Sequence, residues 1–327
     1  MSNELPSSPI STTSTAVYRS SAFAAHNSDH HPENQRRLEA IDRRLFGNAV
    51  HLGRPELPFD DAPLALLESV HNAWYVERLD RLATGGGAML DHDTYIAPGS
   101  YDAALKAAGA AVTAVENSLA GTAPRGFALV RPPGHHATSE RGMGFCLFNN
   151  IAAAAAAALN QGLERVAIID WDVHHGNGTQ DIFYGSNRVL FCSMHQYPFY
   201  PGTGNRDEIG EGAGRGFTIN VPLLAGQRDG QYLEAFDTLL LPALDTFRPE
   251  LVLISAGYDA HVADPLGGMR LTESAFAAMT VRLTDLADRF AAGRVVAVLE
   301  GGYDPAALAR SVEATLRVLD GDIPAGV

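Results

Sequence analysis

Lysine is almost missing from this chain: of its 24 basic residues only Lys106 is one, the rest being arginines. High-GC codon usage accounts for that bias. Cysteine is nearly as scarce. Cys146 and Cys192 sit inside apolar strings (GFCLF and VLFCSM), which excludes a disulfide framework and reads as buried free thiols in a reducing compartment. Long apolar runs are absent too: the longest, Ile151 to Leu159, is mostly alanine and too short to span a bilayer. The polar, Ser/Thr/Pro-rich start has no apolar core, so no secretory signal is read there. Positive charge is also short, with Lys+Arg 24 against Asp+Glu 38 and a net charge of -14. A phosphate-backbone binder needs a basic face, so nucleic acid is excluded as the main partner. The expectation is a cytoplasmic protein with no membrane or nucleic-acid partner; a homo-oligomer is left open.

What is present is ordinary globular composition, 46% hydrophobic and 19% charged over 327 residues. That is enough for a large α/β core. Residues 1–16 read as a flexible tail, and no linker or repeat divides residues 17–327, which are taken as one domain. Helical periodicity predicts helices over Gln35–Phe46, Ala73–Ala83, Tyr101–Ala120, Asn149–Asn160, Asp229–Phe247, Thr272–Ala291 and Pro305–Leu319. Thr272 suits an N-cap, and Pro305 a first helical position whose N–H has no partner anyway. Short apolar runs at Gly126–Val130, Val166–Ile169, Val189–Cys192, Phe217–Val221, Leu251–Ser255 and Val295–Leu299 read as strands. Apolar strands alternating with helices indicate a parallel sheet covered on both faces.

Ligands bind such sheets beyond the carboxyl ends of the strands. The unusual polar residues lie there. Five of the runs lead into Arg131-Pro-Pro-Gly-His135-His136, Asp170-Trp-Asp172-Val-His174-His175-Gly-Asn177, Ser193-Met194-His195, Tyr258-Asp259-Ala-His261 and Glu300-Gly-Gly-Tyr303. Asp172 and His174, two apart in extended chain, face one side and can share an ion. Asp264, held by the following proline, is the best third ligand. Two aspartates and a histidine suit an open zinc site, and equally Fe(II) or Mn(II). Adjacent His135 and His136 diverge too much to bind one ion and suit acid–base work, with Asp170 and Asn177 as orienting partners. Tyr303, after two glycines, could stabilise an oxyanion; alone it is more often a packing aromatic.

The assembled set also takes in Gly144-Phe145-Cys146-Leu-Phe-Asn149-Asn150, Gly176-Asn177-Gly-Thr-Gln180, Asp264-Pro-Leu-Gly, His30-His31-Pro32-Glu33-Asn34 and Leu67-Glu-Ser-Val-His71. It resembles the histone deacetylase superfamily, which includes bacterial histone deacetylase-like amidohydrolases, acetylpolyamine amidohydrolases and acetoin-utilisation proteins. The wording of the Asp170 motif is closest to the class II branch, and the resemblance spans roughly residues 24 to 320. It implies an arginase/deacetylase-like α/β fold with a central, mostly parallel eight-stranded sheet. It also implies a zinc-dependent deacetylase with Asp172, His174 and Asp264 as metal ligands. His135 and His136 match the catalytic pair, Asp170 and Asn177 their partners, and Tyr303 the transition-state tyrosine. Potassium is implied at Asp170, Asp172, His174, Ser193 and Met194, and a second monovalent ion at Phe183, Ser186, Val189 and Phe217. Gly144, Phe145, Tyr200, Leu271 and Asp93 correspond to substrate-tunnel and rim positions.

The implied reaction is amide hydrolysis with His136 as the general base. Asn177, where some relatives carry aspartate, should leave His136 with a lower pKa. Leu271 at a gatekeeper position favours an acyl-lysine peptide or small acylated amine over acetylpolyamine, which stands as the alternative. A catalytically silent acyl-binding protein is a rival reading, but none of the six core positions is lost. A ureohydrolase would want a two-metal site with further aspartates.

Overall fold

The computed structural model describes residues 15–28, 30–47 and 53–323. Residues 1–14 of the expected tail lie outside them; Thr15 and Ala16 are buried. Seven strands form one parallel sheet: β1 (Ala16–Tyr18), β4 (Arg125–Ala128), β5 (Val166–Asp170), β6 (Val189–Gln196), β7 (Thr218–Leu223), β8 (Leu251–Ala256) and β9 (Val295–Leu299). A separate antiparallel pair joins β2 (Ala88–Met89) to β3 (Tyr95–Ile96). The sheet order is β1-β4-β9-β8-β5-β6-β7. Eight strands were expected, and seven are found among the described residues. Past β7 the chain bonds to a loop instead of a further strand: Gly226 N–H donates to Gly268 O at 2.8 Å, and Arg270 N–H to Gln227 O at 2.8 Å.

Alternate residues of the buried strands enter opposite cores, as the period of two demands. Ala167, Ile169, Val252, Ile254, Val295 and Ala297 pack with the helices Arg36–Leu45, Glu273–Phe290 and Pro305–Leu319. Val166, Ile168, Leu251, Leu253, Val296 and Val298 face the helices Ser100–Leu119 and Asn150–Asn160. The second of these is alanine at seven successive positions, Ala152–Ala158, all buried, so it packs closely on its neighbour.

Two local expectations are corrected. The segment Asp229–Phe247 is not one regular helix: Asp229–Ala235 and Leu241–Phe247 flank a π-turn at Phe236–Leu240. Pro242 lacks an N–H and crowds the preceding turn, and a wider turn accommodates it. Thr272 does occupy the N-cap position, but its hydroxyl caps no amide. It donates instead to Asp229 Oδ2 at 2.6 Å. Pro305 is the first residue of its helix, and Asp304 accepts from Ala307 N–H at 2.7 Å.

Candidate active site

All strands of the sheet run one way, so their carboxyl ends share an edge, and the polar motifs gather there. β4 leads to the His135–His136 turn. Both rings are buried, and their centroids are 4.0 Å apart. His135 Nδ1 is 2.9 Å from Asp170 Oδ2, at the end of β5. His136 Nδ1 is 2.7 Å from Asn177 Oδ1, at the start of the helix Asn177–Phe183. Burial opposes charge on both rings. At His135 the carboxylates of Asp170 and Asp172 outweigh burial and hold the pKa well above its usual value. At His136 burial acts together with repulsion from His135 and His174, and the pKa falls well below. The amide of Asn177 offers no charge to reverse this.

His174 Nδ1 lies 3.1 Å from Asp172 Oδ1 and 3.1 Å from Asp259 Oδ2. Ligand atoms of these three residues lie within 4.8 Å of one another. Despite burial, the two carboxylates raise His174 to about 10. Burial and then the charge of Asp172 push Asp259 up to about 7. Asp264 is also raised, by burial above all, with Asp172 contributing. Its Oδ2 accepts Tyr303 N–H at 2.6 Å, and its Oδ1 accepts Leu266 N–H at 2.9 Å. Two carboxylates touch one imidazole, and the charge of Asp172 reaches a third carboxyl at Asp264, so the donors are hard N and O atoms with an excess of carboxylates. That is the chemistry of a divalent-cation site.

The walls are aromatic. Phe199 stacks on His174 at 5.3 Å, and Tyr200 stands edge-on to His136 at 5.3 Å. The Tyr200 hydroxyl is buried with no protein partner. Phe145 meets the Tyr303 ring edge-on at 5.7 Å. Phe145 adopts φ 70°, a left-handed conformation that costs a non-glycine residue energy, and its N–H donates to Thr94 Oγ1 at 3.0 Å. Gly144 has φ +55°, and a Cβ there would fall 2.3 Å from His136 Cδ2. Asp93 connects to this wall through His31, whose Nε2 is 2.9 Å from Asp93 O and whose ring meets Phe145 at 4.5 Å.

The other expected positions scatter. Leu271 is wholly buried and presents no surface at the rim. Ser193 and Met194 lie in β6, with Ser193 in register with Asp170 and its Oγ 2.9 Å from His195 Nδ1. Phe183, Ser186, Val189 and Phe217 sit towards the amino ends of β6 and β7. There Phe183 O accepts Ser186 N–H and Phe217 O accepts Phe191 N–H, each at 2.9 Å. Sequence reasoning gave no role to Asp259 or Glu300, although each follows a strand. It also passed over the buried Glu33–Arg131 pair and Arg37, which donates to Gly302 O at 2.7 Å beneath the Tyr303 ring. Among the described residues no helix is long and apolar enough to cross a membrane.

Comparison with known proteins gives the same picture. The histone deacetylase domain matches residues 31–319. The histone deacetylase-like amidohydrolase of Pseudomonas aeruginosa is 46% identical over 278 residues, covering 84% of this chain and 72% of that protein. A probable deacetylase of Archaeoglobus fulgidus is 43% identical over 283 residues, covering 84% and 76%. Among solved structures, the crystal structure of the HDA15 HD domain superposes with a TM-score of 0.91 at 38% identity, covering 97% of this chain and 91% of that one. Matched at this identity over most of its length, the chain belongs to the histone deacetylase family.

Proposed function

We propose that the protein is a metal-dependent amidohydrolase that removes acetyl or related acyl groups from an amine. Acyl-lysine in proteins or peptides is the first substrate class, a small acylated amine the next, and acetylpolyamine the alternative. One observation carries the reading: two touching histidines, one paired with a carboxylate and the other with an amide, stand beside the hard donor set. Asp172, His174 and Asp264 would hold zinc, with Asp259 as a competing oxygen donor. The metal content of Asp264→Ala against Asp259→Ala separates these two. When bound, the metal supplies Lewis acidity toward a carbonyl and lowers the pKa of water.

The rest falls to the chain. His136, neutral and hydrogen-bonded through Nδ1 to Asn177, is the group able to take a proton from water. His135, kept charged by Asp170, can return one to the departing amine. The Tyr303 hydroxyl, on a loop tied to Asp264, would donate to the oxygen that gains charge as the amide is attacked. Phe145, Phe199 and Tyr200 flank an apolar passage suited to a methylene stem, and Gly144 O would accept the amide N–H. Asp93, on the wall beside Phe145, would meet the substrate backbone or a distant ammonium. A potassium ion would rest on main-chain oxygens of Asp170, Asp172, His174 and Met194 with the Ser193 hydroxyl, since β5 and β6 bring Asp170 and Ser193 into register. A second monovalent ion is assigned to the carbonyls of Phe183, Ser186, Val189 and Phe217. Two buried free thiols favour the cytoplasm.

The test is hydrolysis of an acetyl-lysine peptide against N-acetylputrescine by metal-loaded protein, with and without chelator. The peptide should be the better substrate, chelation should abolish turnover, and Tyr303→Phe should cost about 100-fold or more in kcat. Faster turnover of N-acetylputrescine selects the alternative. No hydrolysis of any acyl amide overturns the reading.

A further inference from the structure

Glu300, the residue next after β9, is a fully buried carboxyl that the reaction above leaves unused. Since β9 lies between β4 and β8, the Glu300 side chain reaches both the turn that follows β4 and the last residues of β8 itself. Oε2 accepts two successive main-chain N–H groups, Gly134 at 2.7 Å and His135 at 3.1 Å, while Oε1 accepts the Ser255 hydroxyl at 3.3 Å. Burial pushes this carboxyl up to about 7. A group so costly to bury stays only where hydrogen bonds compensate, and here both oxygens have partners.

The surroundings leave the turn little freedom. A Cβ at Gly134 would lie 2.5 Å from Asn150 N, so the turn is pressed against the start of the alanine helix on one side and bonded to Glu300 on the other. A Cβ at Gly301 would lie 2.2 Å from Asp259 Oδ2, and Gly301 N–H donates to Asp172 Oδ2 at 2.9 Å. Three residues beyond Glu300 stands Tyr303. Resting on the deacylase reading, we infer that Glu300 is a positioning residue. Its carboxyl fixes the main chain of the His135–His136 turn against the end of β9, and with it the spacing between both imidazoles and Tyr303. Without that acceptor two adjacent buried N–H groups lose their partner and the turn relaxes. Proton transfer is sensitive to displacements near 1 Å, so the loss should fall on kcat and not on substrate binding.

Two variants test this. Glu300→Gln keeps an acceptor at the same reach, whereas Glu300→Asp keeps the charge but draws the acceptor back by one methylene. Glu300→Asp should lower kcat by about 10-fold or more with KM nearly unchanged, while Glu300→Gln stays within about threefold of the parent. Amide hydrogen exchange, read without substrate, should quicken across residues 134–137 in Glu300→Asp and not in Glu300→Gln. Parent-like kcat and protection in Glu300→Asp overturn the inference, as does a loss carried by KM or an equal loss in both variants. If Glu300→Asp does not fold, Glu300→Gln decides: parent-like kcat and protection support the acceptor role, and loss of either removes it. If the parent hydrolyses no acyl amide, the deacylase reading falls while hydrogen exchange still judges the Glu300 bridge.

Discussion

Replacing Asn177 with aspartate would give His136 the kind of partner His135 already has. The two rings touch and are equally buried, and their Nδ1 atoms lie 2.7 Å and 2.9 Å from a side-chain oxygen. One oxygen belongs to an amide and the other to a carboxylate, and the rings are pushed in opposite directions from the ordinary value. A unit charge about 4 Å from the imidazolium is worth about 4 kcal/mol at an effective dielectric near 20. Burial also raises the new carboxyl's own pKa, and the attraction is lost to the extent that this carboxyl is itself protonated. What remains should raise the His136 pKa by about 1–2 units, or about 1.4–2.7 kcal/mol. The sign follows from the proposed role: a proton acceptor must be neutral, so a higher pKa removes active enzyme as pH falls. The acid limb of kcat/KM against pH, measured with an acetyl-lysine peptide, should move to higher pH by about that much. A limb that stays where the parent has it refutes the argument, and so does a shift to lower pH.

Other expectations concern stability. Gly109→Ala should destabilise, although alanine is the better helix former, because the new Cβ would fall 2.0 Å from Asp60 O and 2.8 Å from Ala62 N. A loss of about 1–3 kcal/mol in urea unfolding is expected, and an unchanged or raised midpoint would contradict it. His71 is buried and lowered to about 4 by desolvation; its Nδ1 is 2.8 Å from Thr138 O and its Nε2 accepts Asn149 N–H at 2.9 Å. The unfolded chain binds this proton near pH 6.5 and the native one only near 4. Stability should therefore fall by up to about 3 kcal/mol as pH drops through that window, on top of other groups, and the increment should vanish in His71→Gln. Glu33→Gln, which breaks a fully buried pair with Arg131, should cost about 3–5 kcal/mol. A thermal midpoint within error of the parent would disprove that.

The sheet and its main helices were legible because apolar alternation and helical period are strong where elements are long and buried. β1 escaped because three residues carry no period. The helix Asn177–Phe183 escaped because its glycines and polar residues read as loop. The π-turn at Phe236–Leu240 depends on how Pro242 is accommodated, which the apolar spacing does not encode. Site residues that end strands were readable from their neighbours on the chain. Asp259, Glu300 and Arg37 take their significance from contacts with segments tens to hundreds of residues away, such as Arg37 with Gly302. Leu271 fell where the Asp264 motif put it, but only packing reveals that it faces the core.

The last of the described strands in chain order, β9, is not an edge: it is the wedge between β4 and β8. In the folded sheet β1 and β4 share no hydrogen bonds with the β8-β5-β6-β7 half except through β9. The two halves of the candidate site, the His135–His136 turn after β4 and the Asp172–His174 segment after β5, are joined across the sheet through residues 295–299. A chain lacking residues 295–299 would leave β4 and β8 as two open strand edges, the kind that invites pairing with another chain.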